Sequence, residues 1–204
     1  MRIITINREF GSGGREVGKR LAERLGFAYY DKEIIDAIAE KSKLDKGFID
    51  KTIEEGAWKN YPITFNHTFA YMPLIETPGT TLITWQSEVL HEIAEKGDCV
   101  IVGRAADAIL DEYHPFKIFI FADMDSKVKR CQERAEEGEN MSDKEMIRYI
   151  KKIDKSRASN HDLFAPYKWG SREGFDLCIN TSNVEIKTIV PAIGEYAKAW
   201  FENF

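Results

Sequence analysis

The sequence predicts an α/β protein built as a three-layer, doubly wound parallel sheet. Three observations carry that prediction. Short apolar runs fall at Ile3–Asn7, Cys99–Val102, Lys117–Phe121 and Asp176–Asn180, the pattern of strands covered on both faces. Between them lie stretches with apolar stripes at helical spacing, and strand–helix alternation of this kind builds layered α/β folds. The first run also passes through Gly11, Gly13 and Gly14 straight into an amphipathic stretch.

In chain order, Ile3–Asn7 is the first strand, and Val17, Leu21 and Leu25 recur at i, i+4, i+8, which marks residues after the glycine turn as helical. Phe27-Ala-Tyr-Tyr ends in Asp31 and reads as a short strand. A helix is expected near Phe48–Glu55. Residues 57–80 are rich in aromatics, proline and threonine and read as an irregular excursion, either a packed surface loop or a functional one. Leu82, Trp85, Val89 and Ile93 stripe the next helix, which feeds the strand Cys99–Val102. After Lys117–Phe121 come two charged helices across 125–161, joined by Glu-Glu-Gly-Glu-Asn. Ser142-Asp-Lys-Glu145 and Ser182-Asn-Val-Glu185 both read as capping boxes. Ile186, Ile189, Val190, Ile193 and Ala197 stripe the last helix.

Composition narrows the class. The chain has 204 residues, 43% of them apolar and 31% charged, and a net charge of −5. That describes a globular domain with a real core, and its acidic balance argues against broad nucleic-acid binding. Cys99, Cys131 and Cys178 show no metal-ligand spacing, and buried thiols are expected at Cys99 and Cys178. The histidines show no metal motif either, so no metal is assigned to protein side chains. The chain opens directly on a strand, so no secretory leader is expected, and no apolar run approaches the roughly 20 residues of a membrane span. A cytoplasmic protein without a membrane partner is expected; its oligomeric state is not legible.

The strand–glycine turn–helix unit is how α/β proteins hold a phosphate: close-approaching backbone N–H groups meet the positive end of a helix. The P-loop pattern Gly-x-x-x-x-Gly-Lys-Ser/Thr, started where the strand ends, puts Arg8 at the first glycine, Gly13 at the second, Gly14 at the lysine and Arg15 at the hydroxyl. The register ending in Gly18-Lys19 falls inside the helix and is rejected. The loop therefore survives without its lysine. Arg8 and Arg15 are the available replacements, Ser12 the available hydroxyl. A tight turn without ligand is the alternative.

Arg130 and Arg134, four apart, share a helix face, as do Asp154, Arg157 and His161. Phosphoryl transfer is served by positioned cations, and two arginine-bearing helices above a glycine loop suit a closing lid. A solvated face of i, i+4 ion pairs is the competing account. Gly103-Arg104 follows a strand directly, where parallel sheets bind ligands, though a structural ion pair would serve as well. Asp31 sits comparably, either positioning water or capping a helix.

In order, these pieces resemble the cytidylate-kinase-like family, within the P-loop nucleoside monophosphate kinases, over nearly the whole chain. Ile3–Asn7 with Gly11-Ser-Gly13 stands where those kinases have their strand and Gly-Ser-Gly-Lys loop. Leu25-Gly-Phe-Ala-Tyr-Tyr-Asp31 resembles their second strand, and Val102-Gly103-Arg104 their Gly-Arg-Asp stretch. Arg130 and Arg134 resemble the arginines before the lid, Asp154-Lys155-Ser156-Arg157 the lid's Asp-x-x-Arg, followed by Ala165-Pro166. Asp176–Thr181 resembles their last strand. The sequence departs at Gly14 and Arg15-Glu16, at Ala105, which stands for the aspartate after Arg104, and in the composition of 57–80.

The resemblance implies one P-loop kinase-like domain over 1–204, with an acceptor-side insertion about 45–80 and a helical lid about 125–161. It implies phosphoryl transfer from ATP, with Mg²⁺ carried by the nucleotide, to a CMP-like nucleoside monophosphate or related small acceptor. Arg8, Gly11, Ser12, Gly13, Gly14 and Arg15 are the expected phosphate cradle. Arg15, Arg130, Arg134 and Arg157 are the expected charge-stabilising groups. Asp31, Gly103, Arg104 and Asp154 are expected on the acceptor side. A nucleotide- or anion-binding protein without turnover, or a kinase of a non-nucleotide metabolite, are the alternatives.

Overall fold

The computed structural model describes residues 1–47, 49, 78–134 and 141–203. Five strands form an all-parallel sheet in the order β2-β3-β1-β4-β5: β1 (Ile3–Arg8), β2 (Ala28–Tyr30), β3 (Cys99–Val102), β4 (Phe116–Phe121) and β5 (Leu177–Asn180). The helices are α1 (Gly14–Leu25), α2 (Glu33–Ser42), α3 (Pro78–Glu95), α4 (Ala106–Ile109), α5 (Met124–Glu133), α6 (Asp143–His161) and α7 (Ile186–Glu202). Short 3₁₀ turns stand at Asp111–Tyr113 and Arg172–Gly174.

Strand periodicity makes the layers. In β1 and β3, Ile3, Cys99 and Ile101 point to the face covered by Ile34 and Ile38 of α2 and by Leu90 of α3. Ile4, Ile6, Val100 and Val102 point to the other, against Val17 and Leu21 of α1 and Ile186 and Val190 of α7. β1 is buried at all six positions, which explains its unbroken apolar run. The doubly wound reading holds. Since each strand is parallel, all five carboxyl ends open on one edge, where β1 delivers Arg8 and the glycine loop, β2 delivers Asp31, and β3 delivers Gly103-Arg104.

Some expectations need correction. β5 is an edge strand with alternating exposure, so Cys178 is exposed while Cys99 is buried. The capping box at Ser142–Glu145 forms with both reciprocal bonds. The one at Ser182–Glu185 does not: α7 starts at Ile186, and the Ser182 hydroxyl donates to Asn180 Oδ1 and accepts the Asp123 N–H. Asp31 does not cap α2, whose N-cap is Lys32. The expected helix near Phe48–Glu55 and the 57–80 excursion lie, apart from Ile49 and residues 78–80, outside the described residues. Among the described residues, no helix is long and apolar enough to cross a membrane.

Candidate functional site

The turn after β1 is held from below and from the side. The Glu9 N–H donates to Ile120 O at 3.0 Å, and Glu9 Oε2 accepts the Ala122 N–H at 3.2 Å. Lys127 of α5, buried, reaches Glu9 Oε2 at 3.0 Å and Asp154 Oδ2 at 3.2 Å. Asp154 Oδ1 accepts the Phe10 N–H at 2.6 Å. The Ser12 hydroxyl donates to Glu9 O at 2.8 Å, and Thr181 Oγ1 donates to Ser12 O at 2.7 Å. Charge-assisted bonds of this kind fix backbone more firmly than neutral ones. Burial lowers the Lys127 ammonium's pKa, but its bonds to Glu9 and Asp154 outweigh that and raise it. Burial pushes the Asp154 carboxyl up, and the Phe10 N–H and Lys127 offset only part of this.

What the clamps leave over is a nest of donors. Gly11 and Gly13 adopt φ of +76° and +85°, conformations glycine reaches without penalty. Among the described residues, no carbonyl accepts from the N–H groups of Gly11, Gly13, Gly14, Arg15 or Glu16. They converge at the N-terminus of a twelve-residue helix, where the helix dipole adds positive potential.

Gly14 explains the missing lysine. A Cβ there would lie 2.4 Å from Arg8 Cβ and 2.9 Å from Arg8 Cγ. The side chain leaving β1 fills the place a lysine leaving α1 would need. Arg8 then runs to β3, where its Nη1 would stand 1.8 Å from a Cβ on Gly103. Only glycine fits beneath that guanidinium. Arg8 is 7% exposed, and its Nη2 lies 3.7 Å from Asp31 Oδ1. Arg15 Nε reaches the other Asp31 oxygen at 2.5 Å.

β3 ends in three consecutive left-handed residues, Gly103, Arg104 and Ala105, with φ of +78°, +61° and +50°. For the two residues with a Cβ this conformation is strained. It is held by the Gly103 N–H on Ile6 O at 2.9 Å and by Gln86 Nε2 on Arg104 O at 2.9 Å. The turn sets Arg104 beside Arg8. Arg157 descends from α6, donates to Arg8 O at 3.2 Å and stacks over the Phe10 ring.

All but one of the six residues predicted for the cradle line one cleft. Arg8, Gly11, Gly13, Gly14 and Arg15 line a cleft of about 770 Å³ together with Arg104, Arg130, Arg134 and Arg157. Lys32 and Lys46 add two more cations, against the acids Glu9 and Asp36. Ser12 is fully buried, is absent from the lining and gives its hydroxyl to the loop, so it leaves the ligand-facing set. Asp154 also holds the loop rather than facing the acceptor side.

The lid arginines divide. Arg130 donates to the Thr181 and Val184 carbonyls and tethers the residues after β5. Arg134, more than half exposed, pairs with Glu16 of α1 at 2.6 Å. These helices do not present a merely solvated face: Lys127, Asp154, Arg157 and His161 all reach down onto the strand ends.

Sequence reasoning missed Glu9, Lys127, Gln86 and Asp107. Asp107 is fully buried and accepts from Tyr167 OH at 2.8 Å, with His161 Nε2 at 2.7 Å. It stands two residues beyond Ala105, and the absent aspartate after Arg104 was the signal that could have led to it. Burial lowers the His161 pKa, but Asp107 outweighs it and raises it. Burial likewise raises Asp107, and His161 and Tyr167 reverse this to a lowered value.

Residues 3–183 match the model of the cytidylate kinase-like family. An uncharacterized protein from Eubacterium ventriosum has a similar crystal structure: TM-score 0.67, 28% identity, 97% of this chain and 99% of that one covered. Shikimate kinase from Bacteroides thetaiotaomicron matches at TM-score 0.58 and 16% identity over 97% and 98% of the two chains. Shikimate kinase from Acinetobacter baumannii, in complex with shikimate, matches at 0.54 and 15% over 98% and 94%. At these identities the shikimate kinases show the P-loop kinase fold alone. No curated protein matches the chain.

Proposed function

Because the chain belongs to the cytidylate kinase-like family, we propose that it transfers a phosphoryl group from ATP to a small acceptor, a CMP-like nucleoside monophosphate or a related anion. The observation that carries this reading is the set of five unbonded amides around the start of α1, four of them in residues that line a cleft with Arg8, Arg104, Arg130, Arg134 and Arg157, in a protein of net charge −5. So local a concentration of donors and cations suits a phosphorylated ligand.

The amides hold the donor phosphates. Arg8, buried between Gly14 and Gly103, supplies from the strand the charge that P-loops supply from the helix. Arg104 and Arg157 stand beside it, where negative charge spreads over the moving group. Asp31 Oδ1 is buried without a hydrogen bond, and it orients the acceptor hydroxyl. Arg15 and Arg134, at the exposed rim, draw the nucleotide in.

Magnesium is implied by the family. The residues do not fit a protein-held ion: both guanidinium neighbours of Asp31 already balance its charge, the Ser12 hydroxyl is committed to Glu9 O, and among the described residues no cluster of three His, Cys, Asp or Glu could hold a metal. The ion would arrive with the nucleotide.

Purified protein with ATP, Mg²⁺ and a panel of monophosphates is expected to release ADP in an acceptor-dependent way. A second reading is favoured by the closure of position 14: a nucleotide or anion binder without turnover. Binding of ATP with no ADP release from any acceptor selects it.

A further inference from the structure

Behind the three arginines lies a second, smaller pocket that shares Arg8, Arg104 and Arg157 with the main cleft. Asn7, Gln86, Asn160, His161, Phe164 and Trp169 complete most of its wall. It measures about 40 Å³, room for about three waters. The space suits a phosphate with the carbon next to it, not a nucleobase. Three guanidinium groups and no carboxylate line it, so the group it takes is an anion.

Gln86 adds a requirement that the arginines do not. It is 2% exposed. Its Nε2 donates to Arg104 O at 2.9 Å, and that carbonyl fixes which way the amide faces, since the reverse orientation would set two oxygens together. Oε1 is left buried with no hydrogen-bond donor, on a side chain that lines the pocket. A buried acceptor without a donor costs free energy, and Arg104 Nε, in the same wall, is likewise buried without an acceptor. The missing donor belongs to the ligand, and a hydroxyl close to the ligand's anionic group supplies it.

We propose that the inner pocket binds the hydroxyl-bearing, phosphorylated end of the acceptor, and that Gln86 selects the hydroxyl. The naming of this ligand as an acceptor rests on the phosphotransfer reading; the pocket's chemistry does not. Two sources present this chemistry, a free sugar phosphate and the ribose phosphate of a nucleotide.

The test compares ribose 5-phosphate, CMP and n-propyl phosphate by calorimetry on the full chain, with Trp169 in the wall as a fluorescence reporter. Wild-type protein is expected to bind ribose 5-phosphate or CMP about tenfold more tightly than n-propyl phosphate, the net worth of one neutral hydrogen bond. Gln86→Leu is expected to abolish that preference, so that all three ligands bind alike, each weakened equally by release of the Arg104 turn that Gln86 holds. CMP tighter than ribose 5-phosphate assigns the nucleotide source, and equal affinities assign the sugar phosphate. Wild-type protein with no preference, or a preference that survives in Gln86→Leu, overturns the proposal. The wild-type comparison stands even if the variant fails to fold. ATP binding on the same preparation separates the two readings. ATP held without hydroxyl preference sinks this inference alone, while hydroxyl preference without ATP binding sinks the phosphotransfer reading and leaves the pocket.

Discussion

Lys127→Met puts the clamp beneath the glycine loop to the test. The ammonium lies 3.0 Å from Glu9 and 3.2 Å from Asp154, with side-chain exposures of 5%, 26% and 16% for Lys127, Glu9 and Asp154. Removing one partner from a buried ionic cluster costs about 3–5 kcal/mol, because the remaining charges stay desolvated. Glu9 is a quarter exposed and can rehydrate, and Asp154 keeps the Phe10 N–H at 2.6 Å. Both place the loss at the lower end, about 3 kcal/mol.

In a protein of this size that loss lowers Tm by about 6–12 °C. Urea denaturation measures it directly, and the m-value should not change. A second substitution discriminates the mechanism from simple core damage. In Lys127→Met/Asp154→Asn, the Asn carbonyl still accepts from Phe10 while the stranded charge is gone, so most of the loss should return. A single-variant change below about 1 kcal/mol, or a double variant no more stable than the single, would refute the clamp.

The other predictions concern the cations and the buried imidazole. Arg8→Ala should slow ADP release by about a hundred- to a thousandfold, the usual cost of losing a charge-stabilising donor; an unchanged rate removes Arg8 from the chemistry. Gly14→Lys should destabilise the protein without raising activity, since its Cβ would meet Arg8 Cβ at 2.4 Å; a more active variant would show that the loop reopens. His161 has a raised pKa in the folded state, so its pairing contributes fully below the unfolded value of 6.5 and is lost as pH rises through the folded value. Urea midpoints should therefore fall above neutral pH in wild type and stay flatter in His161→Gln; parallel profiles would contradict this. Arg130→Ala should cost about 2 kcal/mol through lost bonds to backbone carbonyls, whereas Arg134→Ala, an exposed pair, should cost less than about 0.5 kcal/mol. Equal losses would erase the distinction drawn between them.

The layers were legible because burial on both faces leaves an unbroken apolar run, as at β1 and β3, and helical stripes survive in α3 and α7. The exposed half of an edge strand does not show in so short a segment, which is why Cys178 was misplaced. Capping boxes show the limit of local pattern. Ser142 and Glu145 find only each other, while Ser182 has Asn180 and Asp123 within reach, and those partners win. Asp154 and Arg157 were legible as a shared helix face, but not which of them faces a ligand. That depends on Lys127 and Phe10, more than twenty residues away in sequence.

The lysine-less loop is best understood as an exchange between two positions that no linear motif connects. In sequence, Gly14 is a loss and Arg8 a strand-end cation. In space, the two positions compete for one volume: a side chain at 14 or a side chain at 8, not both. The exchange also requires a third position, because Arg8 can lie flat against β3 only where Gly103 has no Cβ. A single reversion at position 14 should therefore fail, and a lysine there becomes tolerable only when Arg8 is shortened to glycine as well. If Gly14→Lys proves as stable alone as it is combined with Arg8→Gly, the two sites are independent, and the cation that completes the cradle must be sought elsewhere.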